Sequence, residues 1–240
     1  MKKIIGSILF AGIALAAFSQ KTINDPNVQK RSASGYHGVS VSGSIELFLT
    51  QGSEEAVAVS AAEPKWVDKV ITEVKDGILH IYMENEKKMN VDLGFGSKKI
   101  RAYVSVKSID YLSLAGSGKV HIEGNLKAEE LKINISGSGN IKGGLAVNDL
   151  TIGLSGSANA DFSGNAEKSD FHISGSGNIG TYDLTTAFCK VSISGSGNVR
   201  TTVTKELSAH ISGSGNISIK GAAMIKDYTS SGSGKFKRVQ

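Results

Sequence analysis

One phrase recurs through the second half of the chain at nearly constant intervals, and that recurrence limits the fold more than any other feature. Aligned on its first glycine it reads SLAGSGKV at Gly116, NISGSGNI at Gly137, GLSGSANA at Gly156, HISGSGNI at Gly175, SISGSGNV at Gly195, HISGSGNI at Gly213 and TSSGSGKF at Gly232. The intervals are 21, 19, 19, 20, 18 and 19 residues. A catalytic loop would need one copy, whereas a corner in a coil needs one per turn. A period near 20 residues is too short for most helical repeats and suits one turn of a β-solenoid, in which each unit buries its apolar side only when neighbours stack on it. The leucine-rich repeat shares the period, but its leucine and asparagine pattern is absent here.

Alternation with a period of two assigns the faces. Before the corners stand the apolar pairs Leu112 and Leu114, Ile133 and Ile135, Ile152 and Leu154, Phe171 and Ile173, Val191 and Ile193, Ala209 and Ile211. Between their members lie Ser113, Asn134, Gly153, His172, Ser192 and His210, which face outward. After each corner an apolar position returns, from Val120 to Phe236, so a second strand leaves in a new direction. Such a bend needs backbone angles that a Cβ resists, which is why glycine holds the first corner position in all seven copies. The second glycine becomes Ala158 in one copy; either that position has a negative φ or that coil is strained. Asn140, Asn159, Asn178, Asn198 and Asn216 follow the corner in five copies and predict a ladder of amides hydrogen-bonded from coil to coil. Lys119 and Lys235 replace the asparagine in the first and last copies and read as charged caps on the two open ends of the stack.

The chain before the repeats falls into three parts. Residues 1–19 carry Lys2 and Lys3 ahead of an apolar run from Ile4 to Phe18, the pattern of a secretory signal peptide, with no cysteine at the cleavage point to carry a lipid. The run is short of the roughly 20 apolar residues that span a bilayer, and no later stretch is apolar enough to do so. Residues 20–32 are polar and unpatterned, and read as a flexible leader. Residues 33–110 are strand-rich without the tight period, with a hairpin turn at Lys75 to Gly77 and a worn corner in VSVSGS ending at Ser44. They are either expanded first coils or a separate small β-domain. Residues 111–240 hold the seven-coil solenoid.

Composition excludes several classes of function. Removing Lys2 and Lys3 with the leader leaves 25 basic against 22 acidic residues, a net charge of +3. That is too slight for a nucleic-acid partner, which calls for a dense basic stripe with stacking aromatics. The lone Cys189 can form no internal disulfide and sits in a column with Leu131, Leu150 and Leu207, the place of a small core residue rather than a nucleophile. The glycine-rich phrase lacks the Gly-Lys-Ser or Gly-Lys-Thr ending of a phosphate loop and the aspartate of a calcium-binding β-roll. His172 and His210 share a column, but two coils place them roughly 10 Å apart, too far to ligate one metal. No cofactor, metal or catalytic residue is expected.

A chain opening with VSVSGSIELFLTQG, continuing with VKDGILHIYM and then repeating ISGSGNI resembles the DUF2807 family, described as "putative auto-transporter adhesin, head GIN domain". The resemblance covers about residues 33–234. It implies an all-β fold, a right-handed parallel β-helix of about 20 residues per coil, found in cell-envelope proteins of Bacteroidetes-type bacteria, with adhesion as the proposed role and no catalytic residues to carry over. The expectation is an exported periplasmic or surface module with no enzymatic activity, presenting repeated polar faces to a glycan or to an envelope or host protein. Asn134, His172, Ser192 and His210 form the candidate contact column. Two alternatives stay open: a purely structural envelope protein, and a polysaccharide-degrading β-helix enzyme using two of Asp149, Asp161, Asp170 and Asp183, which lie on nearby coils at different offsets from the corner.

Overall fold

The computed structural model describes residue 25 and residues 27–84 and 99–239. The expected signal peptide lies outside the described residues. Strand makes up 74% of the described residues, and parallel coils stack into a β-solenoid of about 7 turns with ~19 residues per turn.

The stack starts with the opening segment. Strands β1 (Gln29–Arg31), β2 (Gly38–Gly43), β3 (Glu46–Gln51) and β4 (Ala56–Ser60) precede a short helix α1 (Pro64–Val67) and the hairpin β5 (Val70–Lys75) and β6 (Ile78–Met83), followed by β7 (Arg101–Val106) and β8 (Tyr111–Gly116). The hairpin turns on Asp76 and Gly77, both at positive φ, the requirement of a type I′ turn. β2 and β3 meet at Gly43, and β2 pairs parallel with β8 so that Gly43 sits opposite Gly116. β1 lies in the stretch expected as a flexible leader; it pairs antiparallel with β4, which pairs antiparallel with β7. These antiparallel strands and the buried Trp66 of α1 finish the N-terminal end of the stack.

Above them each long strand is nearly a whole coil, running from the residue after one corner to the glycine of the next: β9 (Lys119–Gly137), β10 (Asn140–Gly156), β11 (Asn159–Gly175), β12 (Asn178–Gly195) and β13 (Asn198–Gly213). The last coil is β14 (Asn216–Lys220), β15 (Met224–Ser231) and β16 (Lys235–Arg238). Every corner glycine from Gly116 to Gly213 pairs with the next in register. All six apolar pairs ahead of the corners are buried, Ile211 being the most accessible at 3%. Ala158 is not among the residues at positive φ, so the second corner position accepts an L-residue without backbone strain. The final coil is left open: Met224 is 63% and Tyr228 40% exposed. No helix among the described residues is long and apolar enough to cross a membrane.

The reading of Lys119 as an end cap is corrected by the register. Lys119 pairs with Glu46 of β3 on one side and Asn140 of β10 on the other, so a complete coil lies beneath it. The missing asparagine marks the place where the amide column changes into the charged column Lys119, Glu46, Arg101, not the end of the stack. Lys235 does lie in the last coil, beyond Asn216.

That charged column is tied to the N-terminal end by Asp25. Arg101 bridges Asp25, with Nη1 to Oδ1 at 2.7 Å, and Glu46, with Nε to Oε2 at 3.1 Å. Burial pushes both carboxyls up, but hydrogen bonds from Tyr103, Arg101 and Ser60 to Asp25, and from Arg101 and His121 to Glu46, outweigh it and hold both below their ordinary values. A carboxylate depressed in the folded state adds stability above its unfolded pKa and loses it as pH falls through the folded one. Thermal stability should therefore hold from neutral pH down to the usual carboxylate range and drop below about pH 4. Asp25→Asn should lower stability at pH 7 and flatten the acid limb, read by melting curves from pH 2 to 7; an unchanged acid limb would count against the network.

Candidate functional site

Outward positions on the strand entering each corner are stacked in register, so what a single strand presents as one polar side chain becomes a column across coils. The residue three before the corner and the residue just before it both face out, and together they line an open groove of about 760 Å³ running from Ser113 of β8 to the last coil. Asn134, His172, Ser192 and His210 all line this groove. No lysine, arginine, aspartate or glutamate is among its lining residues.

Each imidazole lies beside a carboxylate. His172 Nε2 lies 3.0 Å from Asp170 Oδ1, two residues back on the same strand, an ion-pair contact when the ring is protonated. His210 Nε2 lies 3.5 Å from Asp227 Oδ2 of the last coil, and its Nδ1 is 2.6 Å from the Thr229 hydroxyl. The rings remain open to solvent, at 48% and 43% exposure. Between Asn134 and His172 the column holds only Gly153, and the Asn134 amide leans over it: an added Cβ would stand 2.9 Å from Asn134 Oδ1. The result is a polar surface with side chains fixed at the spacing of the coils.

Beyond the corner the five asparagines join in one chain. Nδ2 of Asn159, Asn178, Asn198 and Asn216 each donates to Oδ1 of the asparagine one coil earlier, at 2.9, 2.8, 2.9 and 2.9 Å. The backbone does the same: Ser176 N–H donates to Gly156 O at 2.8 Å and Asn178 N–H to Ala158 O at 2.9 Å. The corner that borders the groove is thereby locked between coils. Asn178→Ala removes one donor and one acceptor from a part-exposed ladder. It should cost about 1 kcal/mol, seen as a modest fall in melting temperature with any groove binding retained; a variant of full stability that lost binding would remove the ladder from its structural role.

The four aspartates considered for catalysis separate into two pairs. Asp149 and Asp170 line a groove of about 320 Å³ that also holds Lys168 and Lys190, and Asp161 and Asp183 line one of about 530 Å³ with Lys142 and Arg200. Neither pair stands in register: Asp149 lies opposite Lys168 and Asp170 opposite Thr151, and Asp183 lies opposite Ser163, so the members of each pair are set two residues apart on neighbouring strands. Cys189 is 5% exposed, and burial, helped by the nearby Asp170 carboxylate, pushes its thiol far above the range of a reactive cysteine. Among the described residues no group of three or more His, Cys, Asp or Glu side chains is placed to hold a metal ion. Sequence reasoning missed a stack of rings at the N-terminal end, Tyr103 on Phe48 at 5.2 Å and Phe48 on His121 at 5.1 Å. Its members lie on three strands far apart in the chain, so no local signal could have joined them.

A family model described as "putative auto-transporter adhesin, head GIN domain" (DUF2807) matches residues 35–223. Among solved structures, a "putative adhesin" from Bacteroides fragilis NCTC 9343 superposes with a TM-score of 0.79 at 24% identity, covering 88% of this chain and 96% of that one. A "putative lipid binding protein" from Parabacteroides distasonis ATCC 8503 gives 0.71 at 24% identity over 90% and 98% of the two chains. A "putative adhesin" from the same organism gives 0.68 at 23% identity over 88% and 96%. At these identities the likeness is one of fold. No curated protein matches the chain.

Proposed function

Because this chain belongs to the DUF2807 family, we propose that it is an exported, non-catalytic, adhesion-like module of the cell envelope whose groove beside the corners takes a glycan or protein partner. The observation that carries the reading is the groove itself: an open surface of about 760 Å³ whose outward residues repeat once per coil. Repeated weak hydrogen bonds at a fixed spacing add up through avidity, which suits an extended or repetitive partner better than a small molecule. The apolar leader at residues 4–18 supports export. The neighbours' printed names, adhesin and lipid-binding protein, also describe binding rather than chemistry.

The test compares the parent with His172→Ala/His210→Ala in binding to isolated envelope fractions of the producing cell. The two rings are half exposed, so the variant should melt within about 0.5 kcal/mol of the parent and bind several-fold less. Binding unchanged by the double substitution would leave a purely structural role as the better account. Antibody labelling of intact against permeabilised cells would then separate the surface, where an adhesin must act, from the periplasm.

A further inference from the structure

Resting on the reading of this groove as a binding surface, we propose that its ligand is an extended, uncharged β-1,4-linked polysaccharide lying along the solenoid axis, one disaccharide to every two coils. The column just before the corner is serine from Ser136 through Ser155, Ser174, Ser194 and Ser212 to Ser231, so a hydroxyl recurs with every coil. The column three before the corner behaves differently. Asn134, His172 and His210 are long, planar and polar, and they stand on alternate coils. Ser113, Gly153, Ser192 and Thr229 occupy the coils between and are short or have no side chain. The groove thus carries two superposed periods, one coil and two coils, or roughly 5 Å and 10 Å.

A ligand that engages both periods must be a polymer whose units advance about 5 Å each and present the same face only at every second unit. A β-1,4-linked chain of pyranoses does this, because successive rings are turned over relative to one another. The serine column offers each ring a hydroxyl, the planar column reaches alternate rings, and the short Ser192 between His172 and His210 leaves room for the substituents of the ring between. An extended polypeptide repeats its face every two residues, about 6.6 Å, and slips out of register within two coils. α-1,4-linked chains coil and β-1,3-linked chains curve away from a straight column. The absence of Lys and Arg from the lining argues against an acidic polymer. From Asn134 to His210 the planar column crosses four coil steps, which fits a chain of about five sugars at one sugar per coil.

The probes are cellopentaose and chitopentaose, titrated calorimetrically into the protein, with the corresponding disaccharides and with maltopentaose and laminaripentaose as comparisons. The expected result is that at least one β-1,4 pentasaccharide binds ten-fold or more tightly than its disaccharide and than both differently linked pentamers. Filling the gap with Ser192→Asn should weaken that binding ten-fold or more at an unchanged melting temperature. Equal binding of all linkages, a gap-filling variant that binds as the parent does, or no binding of any oligosaccharide by folded protein would each overturn the proposal. If no oligosaccharide binds but His172→Ala/His210→Ala still abolishes attachment to envelope fractions, the polysaccharide assignment falls and the groove reading stands. If neither responds, both fall.

Discussion

Gly175→Ala is expected to destabilise the protein by on the order of 3 kcal/mol or more, though it adds a single methyl group. Two effects act at once. Gly175 has φ +122°, a conformation that L-residues rarely adopt. A Cβ built there would stand 2.5 Å from Gly156 O and 3.1 Å from Gly156 N, both backbone atoms of the coil below. That carbonyl accepts the Ser176 N–H bond, so moving it aside disturbs the coil-to-coil ladder as well as the packing. Gly43 provides the internal comparison: its φ is +89°, yet nothing lies within 4 Å of its added Cβ. Gly43→Ala should therefore show the conformational cost alone, about 1–2 kcal/mol. Chemical denaturation of the three proteins measures the difference; equal losses at the two positions would show that close stacking contributes nothing.

Phe171→Ala is the second large effect. Phe171 is fully buried, and in register it lies between Ile152 of β10 and Val191 of β12. Its ring fills the solenoid interior where the matching residue two coils later is only Ala209. Truncation leaves a cavity enclosed by strands hydrogen-bonded on both sides, which cannot easily collapse, and should cost about 3–5 kcal/mol. Phe171→Leu keeps most of the volume and should cost about 1.5 kcal/mol or less. Because the groove lies on the opposite face of the same strand, the test is a denaturation midpoint together with binding of the folded fraction. An alanine variant within 1 kcal/mol of the leucine variant would mean that the interior repacks freely.

The solenoid could be read in advance because its determinants are local and repeated. A corner, an inward pair and an amide appear at each turn, and seven copies turn a weak signal into a period. Burial of Ile133, Ile152, Phe171 and Val191 in one continuous column follows from that period and from alternation alone. The N-terminal end was less legible, because its order comes from pairings between distant segments. Gln29–Arg31 carry no strand pattern of their own and are held by the edge that β4 offers and by side-chain hydrogen bonds from Gln29 to Asp68 and from Arg31 to the Val67 carbonyl. Lys119 looked like an end because the asparagine stopped there. Its partner column had changed chemistry, and the clue was already present in the worn corner at Gly43, where Glu46 stands in the place of Lys119. The candidate groove lay between these cases. Its outward residues could be named, but that they line one groove from Ser113 to the last coil depends on how the coils stack, which no single coil shows.

The two ends of the stack are finished differently, and this gives its assembly a direction. At the N-terminal end, antiparallel strands and Trp66 cover the first coil; at the other, Met224 and Tyr228 stay exposed among the described residues. Each coil packs mainly on its immediate neighbours, so a later coil gains its interior only after the earlier one has formed. A chain that emerges from the ribosome or a translocation channel N-terminus first delivers the covered end before the repeats. The opening segment can then serve as a seed onto which each turn winds as it appears.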